Sequence, residues 1–316
     1  MTADRVRGWA GLGLAALLAA CTAAPVSAPA PVPRPAPPPV APPPRLPSVS
    51  AESAALASYY TQVQADLLAQ GLLRTDGGGS DTPFTDTMLT ENFIRIAMFD
   101  EYARGAGGLV ARETSSALRR WEGPVRVEVS FGASVPLAKQ ATDRARIGSY
   151  LQRLQAITGH PISLVASGGN FKVQVVNEDE RRALGPTIAR SLPGLSPADI
   201  GGLTNLPRST YCIVYALSPG NSSAYDAAFA VIRAEHPDLL RLSCIHEEIA
   251  QGLGLANDSP LARPSIFNDD EEFALLTRQD EMMLRILYNP QLRPGMSASE
   301  ARPIVRALAA QMTGGS

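Results

Sequence analysis

Glu247-Glu248-Ile249-Ala250-Gln251-Gly252-Leu253-Gly254-Leu255-Ala256-Asn257 closes an apolar-periodic run that begins near Asp238. That spacing predicts a helix over residues 238–253. Positions 247 and 251 lie one turn apart and share a face. The adjacent Glu247 and Glu248 are expected to point about 100° apart, which argues against a cooperating pair. Gly254 can take a positive φ, so it ends the helix and lets the chain turn back toward it. Two readings of Glu247, Glu248 and Gln251 follow. They form a polar helix face bonded to neighbouring strand and loop backbone. Alternatively they line a cleft, where side-by-side carboxylates repel one another, a pattern that accompanies function.

Working outward, Leu56, Tyr59, Tyr60, Val63, Leu67, Leu68 and Leu72 recur at three-and-four spacing and predict a helix over 50–73. A glycine-rich loop follows at 76–81, then helices over 85–103 and 111–121. After Gly123-Pro124 the period changes to two: Val125, Val127 and Val129 alternate with Arg126, Glu128 and Ser130, as in a half-buried strand. A helix is expected over 137–157, then strands 162–165 and 171–176 joined by a turn at 167–170. Residues 178–190 read as helix, 192–207 as loop, and 210–217 as the last clear strand. Helices are expected over 224–234, 238–253, 278–288 and 297–312. The order indicates an α+β fold with a small mixed sheet: a domain over 123–316 on which a helical segment, 50–122, packs.

The 247–257 segment resembles the site of metzincin zinc peptidases, of the matrixin type. In that family two histidines one turn apart flank a glutamate base, a glycine ends the helix, and a third histidine follows. Glu248 matches the base and Gly254 the turn, but the three ligand positions hold Glu247, Gln251 and Asn257. Ser265-Ile266-Phe267-Asn268 resembles the family's methionine turn with Phe267 in place of Met, and 276–280 with Leu287-Tyr288 resembles its closing helix. The resemblance implies a zincin-like domain built around an active-site-like helix. A closer resemblance is to a family of proteobacterial lipoproteins, domain of unknown function 2927. It rests on His246-Glu247-Glu248, Asn257-Asp258-Ser259, residues 264–269, Leu287-Tyr288 and Pro294-Gly295-Met296, and it implies a fold and a compartment rather than a reaction.

The chain has three histidines, His160, His236 and His246. Only His246 lies in the motif, and Ala250, four residues on, cannot ligate. Glu, Gln and Asn oxygens make a poor zinc site and a weak imitation of a calcium one. No metal or other cofactor is expected. A hard-cation site from Glu247, Asp258 and Asp269 or Asp270 is the alternative.

The first 21 residues read as a secretion signal: Arg5 and Arg7 precede a short uncharged run over 9–20, too short to span a bilayer. Leu18-Ala19-Ala20-Cys21 resembles the lipobox of bacterial lipoproteins, which implies acylation of Cys21. By the same resemblance Thr22 favours the outer membrane, facing the periplasm. Residues 24–48 carry 12 of the 27 prolines, so 22–49 reads as an extended tether, whose proline-rich part, 24–48, could reach about 75 Å at roughly 3.1 Å per residue. Beyond Cys21 only Cys212 and Cys244 remain. In an oxidising compartment they are expected to pair; otherwise they are two buried apolar thiols. Net charge is −2 and no long basic run occurs, which excludes nucleic acid as a partner.

The leading functional expectation is a binding or scaffolding module, lipid-anchored at the cell envelope, with a protein or peptide ligand in the cleft. The alternatives are a hydrolase using Glu248 as general base on a peptide or cell-wall substrate, and a structural lipoprotein with no ligand.

Overall fold

Side-chain oxygens start the first two helices of the computed structural model, which describes residues 49–105, 108–268 and 270–315. Ser50 accepts from the Ser53 N–H and Thr85 from the Met88 N–H, satisfying donors that a helix leaves open. These are α1 (Ala51–Ala69) and α2 (Asp86–Ala97). The signal, Cys21 and nearly all of the tether lie outside the described residues. Among those described, no helix is long and apolar enough to cross a membrane.

The helix expected over 111–121 is not there, and the one expected over 85–103 is shorter than its pattern suggested. β1 (Phe99–Gly105) and β2 (Gly108–Ser115) form an antiparallel hairpin instead, so the helix from Thr85 stops at Ala97 and residues 50–122 are not wholly helical. Gly105-Ala106-Gly107-Gly108, between the two expected helices, is a turn signal that suits two paired strands as well as two helices, so it does not discriminate between them. The short β3 (Arg120–Trp121) leads to β4 (Val125–Phe131), where the alternating valines are buried as expected. Then come α3 (Leu137–Thr158), β5 (Ile162–Val165), β6 (Phe171–Val176), α4 (Glu178–Arg182) and α5 (Gly185–Ser191). The expected loop at 192–207 contains α6 (Pro197–Thr204), started by a Ser196–Asp199 capping box with Pro197 in the first turn.

β7 (Cys212–Leu217) is followed by β8 (Ala224–Tyr225) and β9 (Ala227–Arg233), in place of the helix expected over 224–234. The remaining helices are α7 (Asp238–Leu253), α8 (Arg278–Leu287) and α9 (Ala298–Thr313). The main sheet has the order β5-β4-β6-β9-β7. Its first four strands are parallel, and β7 runs antiparallel to β9 at the edge. β9 is covered on both faces: Ala228, Ala230 and Ile232 join the large core containing α3 and α7, while Phe229 and Val231 join a second core with Ile188 and Leu203. Burial on both sides turns an alternating pattern into a continuous apolar run, which the sequence period alone cannot tell from a buried helix. The architecture is mixed α+β.

Candidate functional site

Helix α7 reaches the sheet by close approach. A Cβ on Gly252 would stand 2.4 Å from Phe171 Cζ, so only a glycine lets the helix lie this near β6. The helix ends at Gly254, whose φ is +129°; a Cβ there would meet the Arg119 carbonyl at 2.4 Å. Two of the last carbonyls are capped by side chains: Trp121 Nε1 donates to Gly252 O (2.8 Å) and the Tyr288 hydroxyl to Leu253 O (2.9 Å).

A disulfide joins Cys212 on β7 to Cys244 on α7. Cys244 thereby turns its face of the helix toward the edge strand. Glu247, Glu248 and Gln251 follow three, four and seven residues on, the spacing of one helical stripe. The expectation that Glu247 and Glu248 diverge is corrected by this placement: they flank the stripe, their long side chains converge, and their carboxylate oxygens come within 4.8 Å of each other and of Cys212 Sγ.

All three α7 residues line a cavity of about 580 Å³ between α7, β7, the end of α1 and the loop after Gly254. The described residues lining it include five carboxylates, Glu247, Glu248, Asp258, Asp270 and Glu271, and no lysine, arginine or histidine. Gln251 Nε2 donates to Asp258 Oδ1 (2.9 Å), fixing the loop to the helix.

The predicted trio of 247, 251 and 257 is not brought together. Asn257 is 1% exposed, outside the cavity lining; its Nδ2 donates to Arg95 O (2.9 Å) and its N–H to Ile96 O (3.1 Å), tying the turn to the end of α2. His246 also faces away from the cavity. Its ring stacks on Tyr150 with centroids 3.9 Å apart, and Nδ1 accepts from the Leu276 N–H (3.3 Å). Burial pushes its pKa down to about 3. His236 is buried beside the disulfide, with Nδ1 3.7 Å from Cys244 Sγ, and burial holds it well below the ordinary value. His160 contacts Gly123 O.

The donor set does not fit zinc. None of the three histidines lines the cavity, and Cys212, the sulfur nearest the carboxylates, is bonded to Cys244 and is no thiolate. Of the residues considered for a hard cation, Glu247 and Asp258 are in the cavity, Asp270 is at its rim, and Asp269 lies outside the described residues.

Phe267 is fully buried, and its neighbours Ile266 and Asn268 line the cavity. Asp280 holds this turn, accepting from Ser265 Oγ (2.5 Å), Ile266 N–H (3.1 Å), Thr277 N–H (2.8 Å) and Thr277 Oγ1 (2.8 Å). Sequence reasoning missed Glu271, Leu67 and Gln70 as cleft residues. Glu271 was visible as part of the acidic run 269–272; nothing in α1 marked its last turn.

One family model matches, described as Protein of unknown function (DUF2927), over residues 86–307. The match spans the expected boundary at residue 122 and takes in α2, the hairpin, the sheet and the cleft helix. Neither a curated protein nor a solved structure matches the chain.

Proposed function

Since the chain belongs to the family of Protein of unknown function (DUF2927), we propose that it is an envelope lipoprotein whose zincin-like domain holds a ligand in its cleft without cutting it. The zincin-like reading is supported by the helix–glycine–loop frame around α7, laid beside a single antiparallel edge strand. The binding reading is carried by one observation. The position where a peptidase would grip zinc is an open cavity lined by carboxylates, with no imidazole in it. Five carboxylates offer acceptor oxygens and negative charge to whatever enters the cavity, which suits a cationic group with several N–H donors. The ligand is therefore a protein or peptide segment bearing lysine or arginine, and attachment through Cys21 keeps the cleft at the membrane.

A lysine-rich hexapeptide should bind the purified protein, an aspartate-rich one should not, and Glu247→Gln should weaken binding by about 3- to 10-fold, with further loss at high salt. Equal affinity for both peptides would sink this reading. So would stoichiometric zinc in the purified protein together with peptide cleavage abolished by Glu248→Gln.

One observation favours a second reading. The approach of Glu247 and Glu248 to within 4.8 Å is a geometry in which one carboxyl can serve as acid and the other as base. A metal-independent hydrolase of peptide or cell-wall bonds would show turnover in the presence of chelator and lose it in both Glu→Gln variants.

A further inference from the structure

Helix α1 runs for 19 residues, yet only Ser53 and Tyr60 are buried, and Leu68 is 48% exposed. A helix laid permanently on a core buries its apolar stripe; here the stripe through Leu56, Ala57, Val63 and Leu67 is only half-buried. Side-chain contacts hold it at separate points. Ser53 Oγ donates to Glu235 Oε1 (2.6 Å), and Gln64 Oε1 accepts from the Leu240 N–H (3.0 Å). Tyr60 sits edge-on to Tyr211 and His236, with its hydroxyl donated to Arg208 O (2.9 Å). The family match begins at residue 86, so α1 lies outside it. Even so, its last turn supplies Leu67 and Gln70 to the wall of the acidic cleft, with Leu72 just beyond.

The junction after α1 is built differently. Leu73 is 2% exposed, its N–H donates to Glu271 O (2.8 Å), and the Arg74 N–H donates to Glu272 O (2.8 Å). Among the described residues, the two non-glycine residues with positive φ are Leu73 (55°) and Glu271 (57°), the two partners in this bond. Such backbone is costly for residues with a Cβ and persists only where the surroundings hold it. A lightly seated helix thus meets a firmly fixed pivot at the rim of the cleft.

We propose that α1 is a strap that swings away as one unit about Leu73, carrying Leu67 and Gln70 out of the wall of the cleft that holds Glu247, Glu248 and Gln251, and re-seats through Tyr60. A segment with so few buried groups opens well below the cost of global unfolding.

Hydrogen–deuterium exchange on the ligand-free full chain tests this. The amides of residues 55–70 should share one opening constant, on the order of 100-fold larger than that of α7 and β9, while the Leu73 and Arg74 amides stay protected. Tyr60→Ala should speed exchange in α1 by about tenfold more without changing α7, and Tyr60→Phe, which keeps the ring, should fall between. Should Tyr60→Ala fail to fold, the wild-type pattern alone decides. Protection of residues 63–70 equal to that of α7, or fraying confined to the N-terminal turn, overturns the strap. The readout needs no ligand, so that result would leave the binding role of the cleft standing.

Discussion

His246 and His236 are kept neutral by burial, and this sets how the fold responds to acid. His246 is lowered from its ordinary 6.5 to about 3, and His236 moves in the same direction. As pH falls below 6.5 the unfolded chain takes up these protons while the folded one does not, so the stability present above 6.5 is lost progressively toward pH 3. Asp280 works the other way. Burial, partly offset by its four donors, raises it from 3.8 to about 6. The folded chain binds that proton first, which adds stability as pH drops from 6 toward 4. In that window the loss from His246 runs against the gain from Asp280, and His236, shifted the same way as His246, tips the balance toward loss. Urea unfolding at pH 7, 6, 5 and 4 should show stability falling, and His246→Gln should flatten the slope by up to about 1.4 kcal/mol per unit. An unchanged slope in that variant would show that His246 titrates normally in the fold.

α7 owes its position to three local features, and each can be removed separately. Gly254→Ala forces a side chain onto a φ of +129° and against the Arg119 carbonyl; about 2–4 kcal/mol of stability should go, because backbone cannot step aside as a side chain can. Gly252→Ala meets only side chains, the Phe171 ring foremost, so the smaller cost of overpacking, about 1–3 kcal/mol, is expected from the same urea measurement. The disulfide closes a loop between residues 32 apart. Replacing both cysteines by serine should cost about 3.5 kcal/mol on the chain-entropy account, with Glu247 and Glu248 no longer pinned beside the edge strand. These features also explain what the sequence could and could not reveal. The α7 helix, its glycine stop and the stripe through Glu247, Glu248 and Gln251 are legible because periodicity and a terminator are local signals. The convergence of the two glutamates is not, since it depends on which side of the helix Cys244 turns to β7. β9 reads as helix because its environment, apolar on both faces, comes from partners distant in sequence. A motif places Asn257 in the cleft, whereas the Arg95 carbonyl that binds it is 162 residues away.

At the scale of the whole chain, the globular part and the proline-rich stretch that precedes it in sequence are separable in physical terms. The two hydrophobic cores are built from Phe84 onward, and the described residues from Val49 cluster as one unit. A chain beginning at Val49 should therefore unfold at the same urea midpoint as the full-length one. The proposed attachment through Cys21 makes a sharper prediction. If Cys21 carries acyl chains, each buried methylene contributes roughly 0.8 kcal/mol to membrane affinity, so two or more chains hold the protein on a bilayer against dilution. Cells fed an alkyne-tagged fatty acid should label the wild-type chain and leave it in the membrane pellet. Cys21→Ala should abolish the label and release the protein to the soluble fraction, with the acid and urea responses of the folded part unaltered. That combination matters, because the described residues that line the cleft all lie from Leu67 onward. Its ligand should be bound equally well by the released variant, and only the place of binding should change. An unlabelled wild-type chain, or a Cys21→Ala chain that still pellets with membrane, would mean that something other than a lipid on that cysteine determines where the cleft is presented.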